Sequence, residues 1–379
     1  MTIGILGGGQ LGYMLALAGY PLGLHFRFLD PSPEAPVGRI AQRVTAEYSD
    51  FDSLEKFAHG LELVTYEFEN VPVEAARFLA KYVPVYPSPE ALETAQDRLK
   101  EKNLFQKLGI ATTSFAELNS ADELEAAVKK IGLPAVLKTR RMGYDGKGQW
   151  VLRTTEDVKR AKSEFPRVSL LLENFLAFER ELSILAVRSR SGETAFYPLV
   201  ENHHRGGILR LSLAPAPNLS ASLQKESEQA AQRLLHELNY VGVLAIEFFE
   251  CGGRLVANEM APRVHNSGHW SIEGAATSQF ENHLRAVAGL PLGSTATTGL
   301  SAMVNLIGEV PELAEVLSVA DAHVHLYGKS LRPGRKVGHV TLRAASREEL
   351  CSRLAQLPTF FQRKEFCLPS KPLAAADLS

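Results

Sequence analysis

Apolar residues occur in this chain as short runs separated by polar and glycine-rich segments, the pattern of a protein that alternates strands with helices. In the N-terminal part, apolar runs at residues 2–6, 26–29 and 61–66 predict strands, and residues 13–18 predict a helix. Strands that alternate with helices form parallel sheets, and ligands bind beyond the carboxyl ends of such strands. We therefore expect a Rossmann-like α/β domain that ends near the proline-rich segment 84–89.

Beyond that segment the pattern predicts a mixed α and β region. Residues 91–108 have helical periodicity and contain Arg98, and a strand at 135–139 places Lys138 near its end. Further strands are predicted at 170–172, 182–187, 208–213, 243–249, 254–259 and 302–307, with an amphipathic helix at 222–238. The fold class is therefore α/β followed by α+β.

Two of these apolar runs, 243–249 and 254–259, flank a turn that contains Gly252 and Gly253, and so predict a β-hairpin. In one register Glu247 faces Ala257, and Glu259 then lies diagonally across on the same face, within side-chain reach. Two adjacent carboxylates repel each other unless a cation lies between them. A hard ion such as Mg²⁺ takes oxygen ligands and keeps room for phosphate oxygens. The alternative is a pair of solvated strand carboxylates.

The segment that follows the hairpin favours ligand binding. It reads NEMAPRVHNSGH over residues 258–269, which places Asn258, Arg263, His265 and Asn266 in one short stretch. Such a density of polar, site-forming residues is typical of a loop that handles a ligand.

A glycine-rich turn follows the first strand. Its sequence, GGGQLG over residues 7–12, matches the dinucleotide fingerprint, with Asp30 about 20 positions further on. A glycine turn into a helix N-terminus suits any anionic group, and it can also be a tight turn without a ligand. We interpret Asp30 as a strand-end residue, because prolines turn the chain directly after it. Glu67 and Glu69, after the third strand, either accept hydrogen bonds from sugar hydroxyls or cap a helix.

A second glycine-rich segment, RMGYDGKGQW at residues 141–150, has basic residues around its three glycines. Such a loop lets backbone N–H groups approach phosphates and can close as a lid. It is not a Walker A sequence, and it can also be a hairpin without a ligand. Lys138 upstream and the acidic pair downstream favour phosphate binding.

Weaker signals lie at four further places along the chain. The edge of residues 173–176 can offer main-chain groups to a purine, and Glu181 can hold ribose hydroxyls. Residues 202–205 predict a polar turn whose adjacent histidines lack the spacing of a zinc site, so we exclude a metal there. Residues 329–339 gather cations around a Pro-Gly turn, which is either a solvated basic loop or an anchor for one phosphate.

Composition and charge argue against a nucleic-acid-binding protein and against a membrane protein. With 379 residues the chain is long enough for two or three domains, and its net charge of −2 gives no basic field for nucleic acid. The apolar stretch at 11–28 is broken by glycine, proline and charged residues, so no membrane span is predicted. The three cysteines form no paired motif, which fits a reducing cytosol, and we expect a cytoplasmic protein.

These motifs together resemble the ATP-grasp superfamily and, within it, the N5-carboxyaminoimidazole ribonucleotide synthetase family of purine biosynthesis. The strongest matches are GGGQLG (7–12), YEFENVP (66–72), GYDGKGQ (143–149), NEMAPRVHNSGHW (258–270) and RPGRKVGH (332–339). The resemblance implies an ATP-grasp fold with a Rossmann-like N-terminal domain (1–88), a helical linker and central lid domain (89–170), a catalytic domain (171–300) and a small C-terminal β domain (301–379).

The resemblance also implies the chemistry. ATP, with Mg²⁺, would phosphorylate bicarbonate to carboxyphosphate, and the amine of 5-aminoimidazole ribonucleotide would take the carboxyl group from carboxyphosphate or from released CO₂. The expected partners are these small molecules and a second copy of the chain in a homodimer, with no nucleic acid and no membrane.

Residue roles follow by position from the same resemblance. The ATP site would comprise Arg98, Lys138, Gly143, Tyr144, Asp145, Gly146, Lys147, Gly148, Gln149, Glu173, Asn174, Phe175, Leu176, Glu181, His204, Asn258 and Glu259. Mg²⁺ would bind Glu247 and Glu259. The substrate site would comprise Gly8, Gln10, Glu67, Tyr144, Arg263, His265, Asn266, Ser267, Lys329, Arg332, Arg335 and Lys336. Asp145, Arg263 and Lys329 would be catalytic, with Asp145 orienting the amine.

Two positions depart from the family pattern. Tyr13 stands where relatives commonly carry a basic residue, which puts a phosphate or dimer contact there in doubt. Lys147 stands where some relatives have arginine. A compact ammonium then replaces a planar guanidinium with several donors, so the contacts of the lid should change. The alternatives are another ATP-grasp ligase, such as formate-dependent glycinamide ribonucleotide transformylase, an NAD-dependent oxidoreductase, and an inactive binding module.

Overall fold

The computed structural model describes residues 1–143, 148–165, 168–358 and 361. Its N-terminal sheet has four parallel strands in the order β3-β2-β1-β4, which confirms the predicted parallel sheet. The strands are β1 (Thr2–Leu6), β2 (His25–Leu29), β3 (Gln42–Val44) and β4 (Leu63–Tyr66), and the helices are α1 (Gln10–Gly19), α2 (Phe51–Ala58) and α3 (Val73–Leu79). The strand order reverses beside β1, so the carboxyl ends of β1 and β4 form a crevice of the kind in which such sheets bind ligands.

Two helices lead out of this domain, where the sequence predicted one. They are α4 (Pro89–Ala95) and α5 (Arg98–Lys107). The helical conformation is interrupted between them. The Asp97 side chain accepts a hydrogen bond from the Leu99 N–H and caps α5. Such a cap satisfies an N–H that the start of a helix leaves unpaired. The break places Arg98 in the first turn of α5.

A small antiparallel sheet follows, in the order β5-β8-β6-β7. Its elements are β5 (Phe115–Leu118), α6 (Leu124–Ile131), β6 (Ala135–Thr139), β7 (Gln149–Leu152), α7 (Thr155–Ser163) and β8 (Leu170–Asn174). One face buries a small apolar core that includes Leu118, Leu137 and Leu172. Lys138 and Glu173 alternate with these apolar residues and therefore point to the opposite face.

The largest sheet has nine strands, in the order β14-β13-β9-β11-β12-β15-β17-β16, with β10 paired to β9. Its strands are β9 (Arg180–Arg188), β10 (Thr194–Phe196), β11 (Val200–Arg205), β12 (Ile208–Ala214), β13 (Gly242–Cys251), β14 (Arg254–Ala261), β15 (Leu300–Ile307), β16 (Ala322–Leu326) and β17 (Lys336–Ala344). Residues 202–205, predicted as a turn, instead form part of β11. Five helices accompany it: α8 (Ala221–Glu237), α9 (Ser271–Gly274), α10 (Gln279–Ala288), α11 (Leu313–Leu317) and α12 (Arg347–Gln356).

One hydrophobic core joins the N-terminal sheet to the largest sheet. Leu15 of α1, Leu284 of α10 and Val243 of β13 belong to the same fully buried cluster. Across it the Thr65 hydroxyl and the His283 Nε2 are 2.9 Å apart. Dense packing of this kind fixes the relative position of the two sheets, and so fixes the crevice between them.

Across the described part of the chain, no helix has both the length and the apolar character needed to cross a bilayer.

Candidate active site

A cavity of about 870 Å³ lies among the three sheets and is lined by residues from all of them. Its wall brings together most of the residues predicted from the sequence, although they are spread over the whole chain. Those on the wall are Gln10, Glu67, Arg98, Lys138, Gly143, Gln149, Glu173, Asn174, Phe175, Leu176, Glu181, His204, Glu247, Asn258, Glu259, Arg263, His265, Asn266, Lys329 and Lys336.

The acidic pair lies on the predicted hairpin, but the predicted register is wrong. Glu247 of β13 pairs directly with Glu259 of β14, and a β-bulge leaves Asn258 as the extra residue before Phe248 pairs with Ala257. Residues directly opposite on antiparallel strands share a face, so the bulge brings the two carboxylates closer than the predicted diagonal would.

The environment of this pair favours the protonated form of Glu247. Burial and repulsion from Glu259 raise the pKa of Glu247 to about 7. On the other side of Glu259, the Arg98 guanidinium lies 2.9 Å from the carboxylate. The side-chain oxygen of Asn258 is buried without a hydrogen-bond partner among the described residues. Two adjacent carboxylates and an unpaired amide oxygen side by side are oxygen ligands suited to a hard divalent cation.

His265 is held next to this pair as a neutral imidazole. Burial and the Arg263 guanidinium lower its pKa to about 3. Its Nδ1 lies 2.9 Å from the Ser267 hydroxyl and accepts a hydrogen bond from the Ser267 N–H, so the proton resides on Nε2. That Nε2 lies 3.4 Å from the Glu247 carboxylate. Ser267 is thus a buried residue that fixes the tautomer of His265 from behind, outside the cavity wall.

The small antiparallel sheet contributes a basic residue, Lys138, to the cavity wall. The Lys138 ammonium lies 3.2 Å from the Glu173 carboxylate, which is almost completely buried. The Glu173 side chain is therefore directed to lysine, and its main chain lies within the sheet, paired with β5 on one side and β6 on the other. The N–H groups of Asn174 and Phe175 donate to Ser114 and Pro134.

An apolar end of the cavity lies beside β9 and β13. Phe178 and Phe249 stack with ring centroids 4.5 Å apart, and Phe175 and Leu176 lie on the same wall. The stacked pair was missed from the sequence, because Phe249 reads as an ordinary hairpin residue and Phe178 lies in a loop. A flat apolar slot of this kind accommodates an aromatic base.

An ion pair borders that slot. The His204 Nδ1 lies 2.7 Å from the Glu181 carboxylate. Burial lowers the pKa of His204, but the carboxylates of Glu181 and Glu247 outweigh burial and raise it to about 9. His204 is therefore an imidazolium at neutral pH, and Glu181 remains an acceptor for hydroxyl groups.

The glycine turn at the N-terminus of α1 is occupied by the protein itself. The Glu67 carboxylate accepts hydrogen bonds from the Gly9 and Gly12 N–H groups, and Asp30 accepts one from Gly8 at 2.6 Å. These are the donors that a pyrophosphate would use in a dinucleotide site. Gly8 consequently lies outside the cavity wall, although the sequence placed it in the substrate site.

Beside this turn, Gln10 and Lys329 connect distant parts of the chain. The Lys329 ammonium donates to the Gln10 side-chain oxygen at 2.7 Å. Arg263 forms a partly buried ion pair with Glu69 in the same region, and this pair lowers the pKa of Glu69 to about 2 although burial alone would raise it. Glu69 lies on the cavity wall beside Glu67, although only Glu67 was predicted in the substrate site.

The predicted basic cluster is divided by the structure. Lys329 and Lys336 line the cavity, whereas Arg332 and Arg335 lie outside its wall. Arg332 is exposed, and the Arg335 guanidinium donates to the Ser330 hydroxyl at 2.6 Å. Gly148 also lies outside the wall. Tyr144, Asp145, Gly146 and Lys147 fall outside the described residues.

Three family models match the chain: a ribonucleotide synthetase preATP-grasp domain over residues 1–96, an ATP-grasp domain over 103–280, and a phosphoribosylaminoimidazole carboxylase C-terminal domain over 301–353. These matches confirm the predicted ATP-grasp fold with an N-terminal parallel sheet.

Curated and solved relatives cover almost the whole chain. The N5-carboxyaminoimidazole ribonucleotide synthase of Pseudomonas aeruginosa is 56% identical over 96% of this chain and 100% of its own length. The crystal structure of N5-carboxyaminoimidazole ribonucleotide synthetase from Thermus thermophilus has a TM-score of 0.91 at 62% identity, covering 94% of this chain and 98% of that one. An Aspergillus clavatus synthase in complex with ADP and 5-aminoimidazole ribonucleotide has a TM-score of 0.88 at 30% identity, covering 95% and 98%.

Proposed function

The chain belongs to the N5-carboxyaminoimidazole ribonucleotide synthase family and is an ATP-dependent ligase of purine biosynthesis, and we propose that its cavity carries out both halves of the reaction. In the first half, a bicarbonate oxygen attacks the γ-phosphorus of ATP, ADP leaves, and carboxyphosphate forms. In the second, the amine nitrogen of 5-aminoimidazole ribonucleotide takes the carboxyl group, the C–O bond to phosphate breaks, and the nitrogen loses a proton.

The observation that carries this proposal is the distribution of charge within one cavity. Glu247 and Glu259 face Lys138 and Arg98, an arrangement suited to a nucleotide triphosphate with its cation. The Phe178–Phe249 slot and the Glu181–His204 pair lie at the nucleoside end.

At the other end, Arg263 and the neutral His265 are placed to hold bicarbonate and the carboxyl intermediate. Arg263 supplies a permanent cation for the bicarbonate carboxylate, and the His265 Nε2–H supplies a hydrogen bond without a charge. A neutral donor stabilises a developing negative charge without the repulsion that a second cation would suffer next to Arg263. Lys329 and Lys336 then face the phosphate of the ribonucleotide.

We propose that Mg²⁺ is held by Glu247 and Glu259, with the Asn258 side-chain oxygen beside them. Within the part of the chain that the structure describes, no three His, Cys, Asp or Glu side chains converge on a common point. Two carboxylates match the way Mg²⁺ binds in nucleotide sites, where phosphate and water oxygens complete the coordination. The ion, when bound, neutralises charge on the outer phosphates.

A pH dependence follows from this assignment. Glu247, with a pKa near 7, must lose its proton to bind a cation, so Mg²⁺ competes with H⁺ for the site. We expect the affinity for Mg²⁺ to rise by up to about tenfold per pH unit below pH 7 and to level off above it. Titration calorimetry with a non-hydrolysable ATP analogue, at constant ionic strength, measures this. An affinity that does not change between about pH 6 and pH 8 would contradict the assignment.

The divided basic cluster yields a second prediction. Lys329→Met should raise the KM for the ribonucleotide by about tenfold or more and leave the KM for ATP within about twofold, because a charge-assisted hydrogen bond to phosphate is lost. Arg335→Ala serves as the comparison: it removes a cation that lies outside the wall, so its effect on the ribonucleotide KM should be smaller. Steady-state kinetics with each substrate varied measures both. Equal effects of the two changes would place the phosphate elsewhere.

The NAD-dependent alternative conflicts with the glycine turn. Glu67 and Asp30 occupy the N–H donors at the start of α1, and a dinucleotide phosphate there would meet two carboxylates instead of unpaired donors.

One assay tests the proposed reaction. ADP release should require bicarbonate and ATP and should be strongly stimulated by 5-aminoimidazole ribonucleotide, with incorporation of labelled bicarbonate into the acid-labile product. ADP release without labelled product would refute it. We further propose a cytoplasmic homodimer, and light scattering on the purified protein measures the oligomeric state.

A further inference from the structure

Lys102 lies outside the assigned site and has one of the most unusual environments in the molecule. Its side chain, from the second turn of α5, is completely buried. A charged side chain is almost never fully buried unless it is paired and hydrogen-bonded, since desolvation costs more than most single interactions return. The position therefore requires an explanation beyond packing.

The Lys102 ammonium is satisfied by three acceptors, from two strands and one loop. It lies 3.3 Å from the Glu173 carboxylate of β8, 3.2 Å from the Thr113 hydroxyl and 3.3 Å from the Ala257 carbonyl of β14. An ammonium has three N–H donors and no acceptor, so each donor has a partner. The Thr113 hydroxyl in turn donates to Glu173 at 2.7 Å, and it can accept from Lys102 because its own proton is used there.

Through these contacts Lys102 is connected both to Lys138 and to the strand that carries Glu259. Glu173 is shared, since one of its oxygens faces Lys102 and the other faces Lys138. Ala257 immediately precedes Asn258 and Glu259 at the β-bulge, so its carbonyl is fixed next to the proposed cation ligands. Lys102 thus lies behind the wall, between the lysine that faces phosphate and the strand that carries the acidic pair.

The balance of charge shows what Lys102 contributes. Glu173 alone would neutralise Lys138, and the nucleotide would then meet a pair with no net charge. Burial lowers the pKa of Lys102, whereas the Glu173 carboxylate favours its charged form. The neighbouring Glu101 carboxyl has a pKa that burial and Glu259 raise to about 8, so near pH 7 it is mostly neutral and does not offset Lys102. With Lys102 charged, one carboxylate is shared by two ammonium groups and a net positive charge remains on the cavity side. In a poorly solvated site this difference acts strongly on a phosphate.

We propose that Lys102 is a positioning residue for ATP: it balances the charge of Glu173 so that Lys138 remains available to phosphate, and it anchors the Ala257 carbonyl beside Asn258 and Glu259. The proposal rests on the proposed function for the identity of the nucleotide site. Lys102 itself does not contact substrate.

The primary test is Lys102→Met, which keeps the length of the side chain and removes its charge. We expect kcat/KM for ATP to fall by about 10- to 100-fold, the range for residues that orient ligand-binding groups, with the KM for the ribonucleotide unchanged within about twofold. The control is Lys100→Met on the same helix. Lys100 is largely exposed and pairs with Glu93 on the surface, so its loss should leave both parameters unchanged.

A second variant separates charge balance from packing. In Lys102→Met/Glu173→Gln both buried charges are absent, and Lys138 regains an uncompensated charge. We expect the double variant to bind a non-hydrolysable ATP analogue better than Lys102→Met alone, a non-additive rescue. A purely structural role predicts that the two losses add. Either additive losses or an equal rise in the KM of both substrates would overturn the proposal.

Should Lys102→Met alone fail to fold, the double variant carries the test, because it buries no unpaired charge. Lys138 keeps its charge there, so we expect the ATP analogue to bind within about threefold of the wild type. A loss of about tenfold or more would overturn the proposal. Calorimetry with the ATP analogue alone requires no carboxylation, so a wrong assignment of the overall reaction would not imitate a negative result for Lys102.

Discussion

Glu259→Ala is expected to abolish ATP turnover while leaving the fold intact. The Glu259 side chain is 40% exposed, and its strand is held by backbone pairing with β13, so little stability depends on it. Its loss removes half of the acidic pair and the carboxylate that orients Arg98. Because catalysis of phosphoryl transfer depends almost entirely on positioning and charge neutralisation, we expect kcat to fall by about three orders of magnitude or more.

The measurement is ADP formation at saturating Mg²⁺, bicarbonate and ribonucleotide, together with the thermal midpoint. Glu259→Gln refines it, since the amide oxygen can still accept from Arg98 while the negative charge is gone. A loss equal to that of Glu259→Ala identifies charge as the requirement. Glu237→Ala, an exposed carboxylate on α8, is the matched control and should retain full activity. Normal ADP release by Glu259→Ala would show that the cation binds elsewhere.

Much of the fold could be predicted because its strands are short apolar runs between clear turn signals. The residues on the cavity wall were also largely predictable, since polar motifs that follow strands collect at one edge of a sheet. Gln10 was placed at such an edge, whereas the roles of Lys138 and Arg263 followed from the family resemblance; all three line the cavity, although they lie far apart in sequence.

The register of the hairpin could not be predicted, because a β-bulge adds one residue to one strand and alternation alone does not reveal it. In the structure Asn258 is therefore the bulge residue instead of a paired one, and Glu259 lies directly opposite Glu247. Long-range pairs were equally hidden. Nothing in the local sequence links Lys102 to Glu173, and Glu67 resembles a ligand-binding residue until its hydrogen bonds to the glycine turn are seen.

The basic segment at 329–339 shows the limit of composition as a guide. Its cations are close in sequence, but a tight turn points neighbouring side chains in different directions. Lys336 consequently lines the cavity while Arg335 supports the loop through Ser330. A count of positive charges could not distinguish these two functions.

Arg263→Ala is expected to have the second largest effect, through activity and stability together. Arg263 lines the cavity next to His265 and forms a partly buried ion pair with Glu69. Removing it eliminates the cation proposed for bicarbonate, and we expect kcat to fall by about 10²- to 10³-fold. It also leaves the Glu69 carboxylate without its partner. Because the Glu69 side chain is 26% exposed, we expect a cost of about 1–3 kcal/mol, below that of breaking a fully buried pair.

A second substitution separates these two effects. In Arg263→Ala/Glu69→Gln the unpaired charge is gone, so the free energy of unfolding should largely recover while turnover should not. The pH dependence of the free energy of unfolding provides a further check on how much the Arg263–Glu69 pair stabilises the fold. Arg263 depresses the pKa of Glu69 to about 2, so the stabilisation it gives is present above the ordinary carboxylate range and is lost as the pH falls towards 2. The wild type and Arg263→Ala should therefore differ in denaturant stability at neutral pH and converge in acid. Recovery of both stability and turnover in the double variant would show that Arg263 serves only to neutralise Glu69, and bicarbonate would then need another cation.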